Sequence, residues 1–332
     1  MNKSIGVLIV NFKGADDTLQ CLEKLALSHG SGDMVACIVD NSCSESEWDH
    51  LVSGVRRRAI CINKKSDTDD VPESLLIGAL SVLLYKAPKN GGFAYGCNMA
   101  KSIIAKLFFC EYWLLLNSDA FVDSGAVISM RDTLIRNPNC KMCGAVLWDY
   151  PNIGRVQAVG GVRYSELTGR GWNLDAGISA GQFFEKYSGK LDGFGVSYIS
   201  GACLMITATA WDAVGGMSER YFLYGEELDL AYRAKELGGS VVSYNANVYH
   251  KVGSSIGTGK SKSLGSKLSE FYLARSKIMI CLSYRPSKIV GVIAFIIFRF
   301  IRGILNREFL PAFSIIRGML AGIFYNLRGN SK

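Results

Sequence analysis

The 332-residue sequence has few of the features that mark linkers, repeat proteins and disulfide-rich scaffolds. It contains only six prolines and no run rich in Pro or in Gly and Ser, so a long disordered linker is not expected. No motif recurs at the spacing of a solenoid. With 49% apolar residues, the chain can build a full α/β core, either as one large domain with an appendage or as two modest domains.

The ten cysteines lack the spacing of a disulfide framework or a zinc site. They are scattered through apolar segments, which is typical of small buried residues in a reducing compartment. Cys140 and Cys143 form a C-x-x-C pair, but zinc would need a second ligand pair at suitable spacing, so ordinary cysteines are favoured. The opening segment MNKSIGVLIVNF enters a strand-like run that is too short for a signal peptide, and we expect a cytoplasmic protein.

The net charge of +8 is unevenly distributed along the chain. Residues 251–332 contain fourteen Lys and Arg against two Glu, a net charge of +12. Residues 1–250 contain 23 basic and 27 acidic residues, a net charge of −4. A weakly acidic body is therefore followed by a strongly basic tail.

Apolar runs of strand length alternate with segments of helical periodicity. The first run, IGVLIVNF at 5–12, is uninterrupted, as expected for a parallel strand buried on both faces. Further strands are predicted over 35–41, 81–88 and 111–117, and helices over 15–28, 94–107 and 124–136. After a Gly-rich region of hairpins and loops at 151–200, the sequence predicts strands at 198–207 and 241–250 and helices at 208–216 and within 222–238. The fold class is therefore predicted to be α/β, with a mixed, mostly parallel sheet flanked by helices.

Polar residues and glycines follow four of these strands, at the edge where doubly wound sheets bind their ligands. They are Asn11 after the first strand, Asp40 and Asn41 after the second, Asn90, Gly91 and Gly92 after the third, and Asn117 and Asp119 after the fourth. Helix capping or turn formation explains any one of them alone. Four strand ends that deliver such residues to one edge favour a binding site.

The segment LLLNSDAFVD at 114–123 places the carboxylate of Asp119 two residues after Asn117, at a strand end. Hard oxygen ligands of this kind suit a Mg²⁺ or Mn²⁺ ion that bridges a diphosphate, because the phosphates supply the remaining ligands. The alternative is that Asp119 caps the next helix. Asp123 and Ser124 are better placed for that purpose.

The segment GEELDLAYR at 225–233 gathers three carboxylates at the start of a helix, where the helix dipole favours acids for structural reasons alone. Glu226, Asp229 and Arg233 are spaced to share one face and to form a network. Glu227 points toward the preceding loop, where partial burial would give it the raised pKa of a general base. These three carboxylates are the predicted catalytic residues, and Glu227 is favoured over Glu226 as the base.

These segments together resemble the inverting family-2 glycosyltransferases of GT-A (Rossmann-like) fold, in particular the rhamnosyltransferase-like branch. The resemblance covers roughly residues 4–256, with the motifs in the family's order and spacing. The matching segments are VLIVNFKG, VDNSCS, KNGGFAYGCN (89–98), LLLNSDAFVD, GACLMI, FLYGEELDLAYR and YHKVGSS (249–255).

The resemblance implies transfer of a sugar, with inversion, from a nucleoside diphosphate donor to a hydroxyl group. It implies a Mg²⁺ or Mn²⁺ ion held by Asp119, with His250 as a further metal or diphosphate ligand. It also implies that the nucleotide and donor sugar contact Asn11, Asp40, Asn41, Asn90, Gly91, Gly92, Phe93, Asn98 and Asn117. Two residues depart from the family pattern. Ser118 replaces a proline, and Glu227 replaces the aspartate of a Glu-Asp pair, so that the base reaches one methylene further.

The C-terminal tail, residues 288–328, is apolar and basic at once. Its longest uncharged run, 289–298, has ten residues, fewer than the ~20 that a membrane-spanning helix needs. We predict one or two helices that lie in the membrane interface with their arginines toward anionic headgroups. The alternative is a helical pair that packs on the body and forms a homodimer. Nucleic acid is an unfavoured partner because large aliphatic residues separate the arginines.

The sequence thus predicts a glycosyltransferase domain at 1–256, with a nucleotide-binding half at 1–120 and an acceptor and catalytic half at 121–256, and a membrane-associating helical region at 257–332. Membrane attachment fits a lipid-linked saccharide acceptor, and we expect a peripheral enzyme on the cytoplasmic face of the inner membrane that builds envelope polysaccharide of O-antigen type. The predicted donor is dTDP-rhamnose. The alternatives are a donor such as a UDP-hexose or UDP-galactofuranose, or a non-catalytic sugar-nucleotide-binding membrane scaffold.

Overall fold

The structure is a computed structural model that describes residues 3–63, 74–251 and 264–329. The first elements along the chain are β1 (Ile5–Asn11), α1 (Ala15–Ala26), β2 (Met34–Asp40), α2 (Glu45–Arg58), β3 (Cys61–Asn63), β4 (Ser74–Ile77), β5 (Leu80–Lys86), α3 (Phe93–Leu107), β6 (Tyr112–Asn117), β7 (Ala120–Val122), α4 (Ala126–Arg136) and β8 (Cys140–Tyr150). The later elements are β9 (Val156–Val159), β10 (Gly161–Ser165), β11 (Arg170–Asn173), α5 (Ala180–Tyr187), β12 (Asp192–Gly193), β13 (Tyr198–Ile199), β14 (Cys203–Thr207), α6 (Ala208–Val214), α7 (Glu226–Ala234), β15 (Gly239–Lys251), α8 (Lys267–Tyr284), α9 (Ile289–Leu305) and α10 (Phe309–Gly329).

Four parallel strands, in the order β5-β2-β1-β6, form the nucleotide-side half of a twelve-stranded sheet. Every residue of β1 is buried, and its side chains alternate between two cores. Val7 and Ile9 pack with α1, α2 and α4 on one face. Leu8 and Val10 pack with α3, α6 and α7 on the other face. Burial on both faces is the reason why this strand is an uninterrupted apolar run.

The other half of the sheet brings β15, which is distant in sequence, to the end of β6, the fourth strand that polar residues follow. Strand β14 is antiparallel to both β6 and β8, and β15 runs parallel to β8. The end of β15 also pairs with β7, so that His250 is opposite Ala120. Because Ala120 directly follows Asp119, this register places the imidazole beside the carboxylate.

The predicted α/β fold with a mixed, mostly parallel sheet and flanking helices is confirmed. Helix α2 and strand β8 are among the elements that were not predicted. Helix α2 buries only Leu51, Gly54 and Val55, and its signal is a Ser44 N-cap with acids in the first turn and arginines in the last. Strand β8, which pairs with β14, β15 and β9, contains the C-x-x-C pair, and both cysteines are buried and free.

Several predictions fall on residues that lie outside the described ranges. The predicted polar insert at 64–74 is described only at its last residue, Ser74, where β4 begins. The Gly253 and Ser255 of the C-terminal motif and the predicted domain boundary at 256 also lie outside the described residues.

The C-terminal region forms three helices, α8, α9 and α10, which are together called the tail below. Two of them, α9 and α10, lie in the range 288–328, for which one or two helices were predicted. Helices α8, α9 and α10 share a small core of their own, which includes Ile278, Val292 and Ile315. Helix α10 lies very close to α8, because a Cβ on Gly318 would be 2.1 Å from the carbonyl oxygen of Phe271. One stretch of α10, Phe309–Asn326, is long and apolar enough to cross a membrane by length and composition, with 28% of it buried.

Helix α8 also packs directly against the body of the protein. The Tyr272 ring stacks on Phe222 with ring centroids 5.0 Å apart. At the other end of the helix, the Arg285 guanidinium donates to Glu166 at 2.7 Å. The tail is therefore anchored to the loop that precedes α7 and to the segment that follows β10.

Candidate active site

One cavity of about 530 Å³ opens at the strand ends that the sequence singled out. Its walls come from the ends of β1, β2, β6 and β15, the start of α3, the loop before α7, and α8. The lining residues are Val10, Phe12, Asn41, Asn90, Gly92, Phe93, Asn117, Ser118, Asp119, Ser200, Gly201, Ala202, Phe222, Leu223, Tyr224, Glu226, Glu227, His250, Leu268 and Tyr272. Nine of the predicted site residues are among them.

The loop between β5 and α3 is held against the loop before α7. Gly92 has a φ of +88°, and a Cβ there would be 2.3 Å from the carbonyl oxygen of Phe222. The Asn90 side chain accepts a hydrogen bond from the Gly92 N–H at 3.1 Å, and the Asn41 amide donates to the Gly92 carbonyl at 2.9 Å. Glycine is therefore needed at position 92 for both the backbone conformation and the close approach.

Asn11 and Asp40 lie beneath the cavity, not in its wall. Both are fully buried, and the Asn11 amide donates to the Asp40 carboxylate at 2.8 Å. The same carboxylate oxygen accepts from the Ser42 hydroxyl at 2.6 Å, and Ser42 in turn accepts from the Lys13 N–H at 2.8 Å. These side chains tie together the loops that follow β1 and β2, while the second carboxylate oxygen of Asp40 has no hydrogen-bond partner among the described residues. The nucleotide contact of these two residues stays a prediction.

Asp119 and His250 form a polar pair on one wall of the cavity. The His250 Nε2 is 3.2 Å from the Asp119 carboxylate and 3.3 Å from the Asn117 amide. The other ring nitrogen, Nδ1, is 3.0 Å from the side-chain oxygen of Gln157. Because a side-chain carbonyl oxygen only accepts, Gln157 favours a proton on Nδ1 and leaves the Nε2 lone pair facing the cavity.

This donor set fits a divalent cation. A carboxylate oxygen and an imidazole nitrogen are both ligands of divalent metal ions, and here the Asp119 carboxylate and the His250 Nε2 are 3.2 Å apart. No group of three His, Cys, Asp or Glu side chains in the described residues could hold a metal by itself. A metal here would need ligands from a bound molecule, which suits Mg²⁺ or Mn²⁺ and a diphosphate.

Glu227 lines the same cavity, beside the segment that joins β13 to β14. Its carboxylate accepts a hydrogen bond from the Gly201 N–H, and a Cβ on Gly201 would be 2.1 Å from the carboxylate oxygen. This contact explains why the single strand predicted at 198–207 is broken in two. Burial raises the pKa of Glu227.

Glu226 lies next to Glu227 at the start of α7 and is more deeply buried. Burial and the charge of Glu227 raise the pKa of Glu226 well above its usual value. One of its carboxylate oxygens, Oε2, has no hydrogen-bond partner among the described residues. The prediction that Glu226 belongs to a network with Arg233 is wrong, because the Glu226 carboxylate accepts from backbone N–H groups at the helix start instead.

Asp229 is not exposed to the cavity, and its predicted catalytic role is corrected. Its carboxylate accepts from the Arg233 guanidinium at 2.6 Å and from the Tyr284 hydroxyl at 2.8 Å. Because Tyr284 is on α8, Asp229 connects α7 to the tail. It positions the helix that carries Glu226 and Glu227.

Asn98 and Gly91 also lie outside the cavity wall. The Asn98 side chain bonds both the N–H and the carbonyl of Met217, at 2.9 and 2.8 Å, and it donates to Glu219 at 2.8 Å. Gly91 leaves room for the Tyr95 ring, since a Cβ on Gly91 would be 2.3 Å from that ring. The predicted donor contact of these residues is therefore replaced by a role in holding two loops.

Among the wall residues that the sequence analysis missed, Leu268 and Tyr272 come from α8, in the part of the chain that was assigned to membrane association. Their local sequence has no distinctive pattern. Contacts such as the stacking of Tyr272 on Phe222 bring this helix to the cavity.

Comparison with known proteins finds similarity to sugar transferases in sequence and in fold. No protein-family model matches the chain. A sequence relative, N-acetylglucosaminyl-diphospho-decaprenol L-rhamnosyltransferase from Mycobacterium tuberculosis, is 23% identical over 230 residues, which cover 65% of this chain and 73% of the relative. The same protein from a second strain matches equally well.

Solved glycosyltransferase structures share the fold. GalNAc-T7 with UDP, GalNAc and Mn²⁺ has a TM-score of 0.56 at 9% identity, and the match covers 85% of this chain but only 48% of that protein, about half its length. The mannosyltransferase PcManGT from Pyrobaculum calidifontis, in complex with GDP-Man and Mn²⁺, has a TM-score of 0.56 at 9% identity and covers 97% and 88%. S. aureus TarS with UDP-GlcNAc has a TM-score of 0.51 at 12% identity and covers 88% and 71%. The predicted GT-A fold is confirmed.

The burial of Glu226 leads to a pH-dependent stability. Because the pKa of Glu226 is higher in the folded chain than in the unfolded chain, folding binds a proton between those two values, and the free energy of unfolding falls as the pH rises through that range. We expect Glu226→Gln to remove this fall in the free energy of unfolding, because a glutamine side chain does not titrate. Relative to the wild type, the variant should gain at least about 1 kcal/mol in the free energy of unfolding between about pH 5 and about pH 8, measured by denaturant titration.

The exposed Glu236, which follows α7, provides the control. Glu236→Gln should leave the difference from the wild type constant over the same pH range. A constant difference for Glu226→Gln as well would show that the Glu226 carboxyl is not buried as described.

Proposed function

We propose that the protein is an inverting, metal-dependent glycosyltransferase that moves a sugar from a nucleoside diphosphate donor to an acceptor hydroxyl. The observation that carries this proposal is that two different polar groups line one cavity. One group is Asp119 with His250, and the other is Glu227, which lies beside Glu226. The sequence relative and the structural neighbours, all of which are glycosyltransferases, support the same chemistry.

The donor would lie between Glu227 and the pair formed by Asp119 and His250. Its diphosphate would be near Asp119 and His250, and its nucleoside would extend toward Asn41 and the loop at Asn90. The Asn41 Oδ1 is buried without a hydrogen-bond partner among the described residues, which leaves an acceptor for an N–H of a base. Phe12 and Phe93, which also line the cavity, supply apolar surface for a ring.

Glu227 would act as the base in a single displacement. The acceptor oxygen forms a bond to the anomeric carbon as the bond from that carbon to the diphosphate breaks, and the hydroxyl proton passes to the Glu227 carboxylate. The nucleoside diphosphate leaves with the bonding electron pair. Attack opposite the leaving group inverts the anomeric centre, and the raised pKa of Glu227 makes its carboxylate a stronger base than an exposed one.

A divalent cation held by Asp119 and His250 would stabilise the charge that develops on the leaving diphosphate. Gln157 fixes the His250 ring in the orientation that keeps Nε2 toward the cavity. Asn117 approaches the same nitrogen and adds a polar amide at the diphosphate end.

The donor sugar is proposed to be rhamnose, carried by dTDP. The sequence relative is named for L-rhamnose transfer to a decaprenol-linked N-acetylglucosaminyl diphosphate, and a lipid-linked saccharide acceptor is proposed for this chain on the same ground. A UDP-hexose or UDP-galactofuranose is the alternative donor. The non-catalytic scaffold is disfavoured because binding alone needs no pair of glutamates in the cavity wall, whereas transfer needs a base.

The tail is proposed to hold the enzyme on the cytoplasmic face of the inner membrane. Large apolar side chains are exposed on α9 and α10, among them Phe298, Leu310, Phe313 and Phe324, which are 55–62% exposed. Basic residues Lys288, Arg302, Arg307 and Arg317 lie on the same two helices or at their ends. The exposed apolar side chains would contact the acyl region of the membrane, and the basic residues would contact anionic headgroups.

The role of Glu227 is tested by Glu227→Gln, which keeps the size of the side chain but cannot accept the proton. We expect turnover to fall about 10²- to 10⁴-fold, while the donor Kd changes less than about threefold. Turnover is measured by release of nucleoside diphosphate, and donor binding by calorimetry. Should Glu226→Gln show the larger loss of turnover, Glu226 is the base. If both variants keep full turnover, neither glutamate is.

The metal role of Asp119 is tested by Asp119→Asn. We expect the stimulation of turnover by Mn²⁺ or Mg²⁺ to be lost and nucleoside diphosphate binding to become insensitive to the cation. Asp123→Asn, which changes an exposed carboxylate four residues away, is the matched control. Metal stimulation that persists in Asp119→Asn would remove this residue from the site.

Membrane binding is tested on the exposed apolar surface of α10. The double variant Phe313→Gln and Phe324→Gln should bind vesicles that contain an anionic lipid at least about tenfold more weakly, because each buried phenyl group contributes roughly 1.5–3 kcal/mol. Co-sedimentation with phosphatidylglycerol vesicles gives the measurement. Phe109→Gln, at a site on the body that is 66% exposed, should bind as the wild type does. Equal binding of all three proteins would contradict the proposal.

A further inference from the structure

A second cavity of about 300 Å³ lies on the other side of the Glu227 carboxylate. The two cavities share part of their walls, namely Ser200, Gly201, Tyr224 and Glu227. Glu227 is therefore reached from both cavities. A base that forms the boundary between two spaces can take a proton from a molecule in one of them while the bond that breaks lies in the other.

The walls of this second cavity differ from those of the first. The three-stranded sheet β11-β10-β13 contributes Tyr164, Asn173 and Tyr198, and α8 contributes Lys277. Tyr164 and Tyr198 face each other edge to face with centroids 6.5 Å apart. Aromatic rings and an amide are the side chains that contact the apolar faces and the hydroxyls of a sugar.

Lys277 is the one cation in the wall of this cavity. Its ammonium donates to the Gly169 carbonyl and lies 5.8 Å from the centre of the Phe295 ring. No carboxylate within the described ranges forms an ion pair with it. The acid of α8 that affects it, Glu270, is bound by Arg299 at 2.9 Å. Burial and the charge of Arg299 lower the pKa of Lys277 to about 8, as expected for an ammonium group that lacks a counter-ion.

We propose that this second cavity, here termed the acceptor cavity, binds an anionic saccharide, with a sugar hydroxyl at Glu227 and the phosphate or diphosphate of the acceptor at Lys277. This inference rests on the proposed function and assigns the substrate class of its second site. An anionic ligand supplies the counter-charge that Lys277 lacks. Because α8 belongs to the tail, the phosphate end of the acceptor is bound by the same helical unit that carries the exposed apolar surface.

The assignment also explains why the tail packs so closely on the catalytic body. Lys277 is one helical turn from Leu273 and directly follows Ser276, and both of these residues line the same cavity, while Tyr272 lines the first cavity. A single helix therefore contributes to both. The same helical unit would therefore both bind the lipid and position the acceptor hydroxyl.

The test compares an acceptor that carries a diphosphate next to the sugar with one that is neutral there. One is N-acetylglucosamine linked through a diphosphate to a short prenyl chain, and the other is octyl N-acetylglucosaminide, which is neutral. Lys277→Met should raise KM at least about tenfold for the diphosphate acceptor and leave kcat within about twofold, whereas KM for the neutral acceptor should change less than about twofold. Lys277→Arg should restore most of the affinity for the charged acceptor.

Two controls separate this inference from the proposed function. Hydrolysis of the donor without acceptor should be the same in Lys277→Met and in the wild type, since Lys277 does not line the first cavity. Lys267→Met removes an exposed charge from the same helix and should leave both KM values unchanged. A wild type that transfers no sugar to either acceptor refutes the proposed function. A wild type that transfers sugar, with Lys277→Met equally impaired or equally active on both acceptors, refutes only the acceptor cavity.

Discussion

The site depends on keeping two kinds of carboxylate in one cavity, Asp119 at one position and Glu226 with Glu227 at another. Asp119 lies beside the imidazole of His250, and a carboxylate and an imidazole together suit a metal ion. Glu226 and Glu227 are buried against backbone N–H groups. The nearest arginine on their helix, Arg233, is occupied by Asp229 and by the carbonyls of Val214 and Gly216. Because the two groups are separate, Asp119 can attract a cation while Glu227 takes a proton.

Close approach of backbone segments at two glycines holds the loops that form the cavity. Gly92 lets the α3 loop touch the loop before α7, and Gly201 makes room for the Glu227 carboxylate between β13 and β14. Asn98 and Asp229 secure the surrounding loops by side-chain bonds that do not reach the cavity. Much of the polar chemistry near this site is thus structural, which explains why residues of the right type and position need not contact a ligand.

The sequence was sufficient to predict the central sheet and the edge at which the cavity opens, because burial on both faces leaves an uninterrupted apolar run in β1 and β2. The sequence could not distinguish a residue that lines the cavity from a residue that holds the surrounding loops in place. Asn11 and Asn117 both end strands, yet only Asn117 reaches the cavity, because Asp40 and Thr18 use the polar atoms of Asn11. Helix α2 escaped prediction because it buries few residues, and the share of α8 in the site depends on contacts between segments far apart in the chain.

The three C-terminal helices join functions that the sequence suggested were separate. They expose an apolar and basic surface, and through α8 they also supply Tyr272 to one cavity and Lys277 to the other. The arrangement suits chemistry on an acceptor that remains anchored in a lipid layer. The donor would come from water on one side of Glu227 and the acceptor from the membrane side on the other.

The most direct test is a transfer assay with the full chain, Mn²⁺, and a panel of dTDP-, UDP- and GDP-sugars, in which NMR reports the anomeric configuration of the glycolipid product. The account predicts that one nucleoside diphosphate sugar is consumed and that the configuration of its anomeric centre is inverted. A product with retained configuration, or no transfer from any donor in the panel, would contradict it.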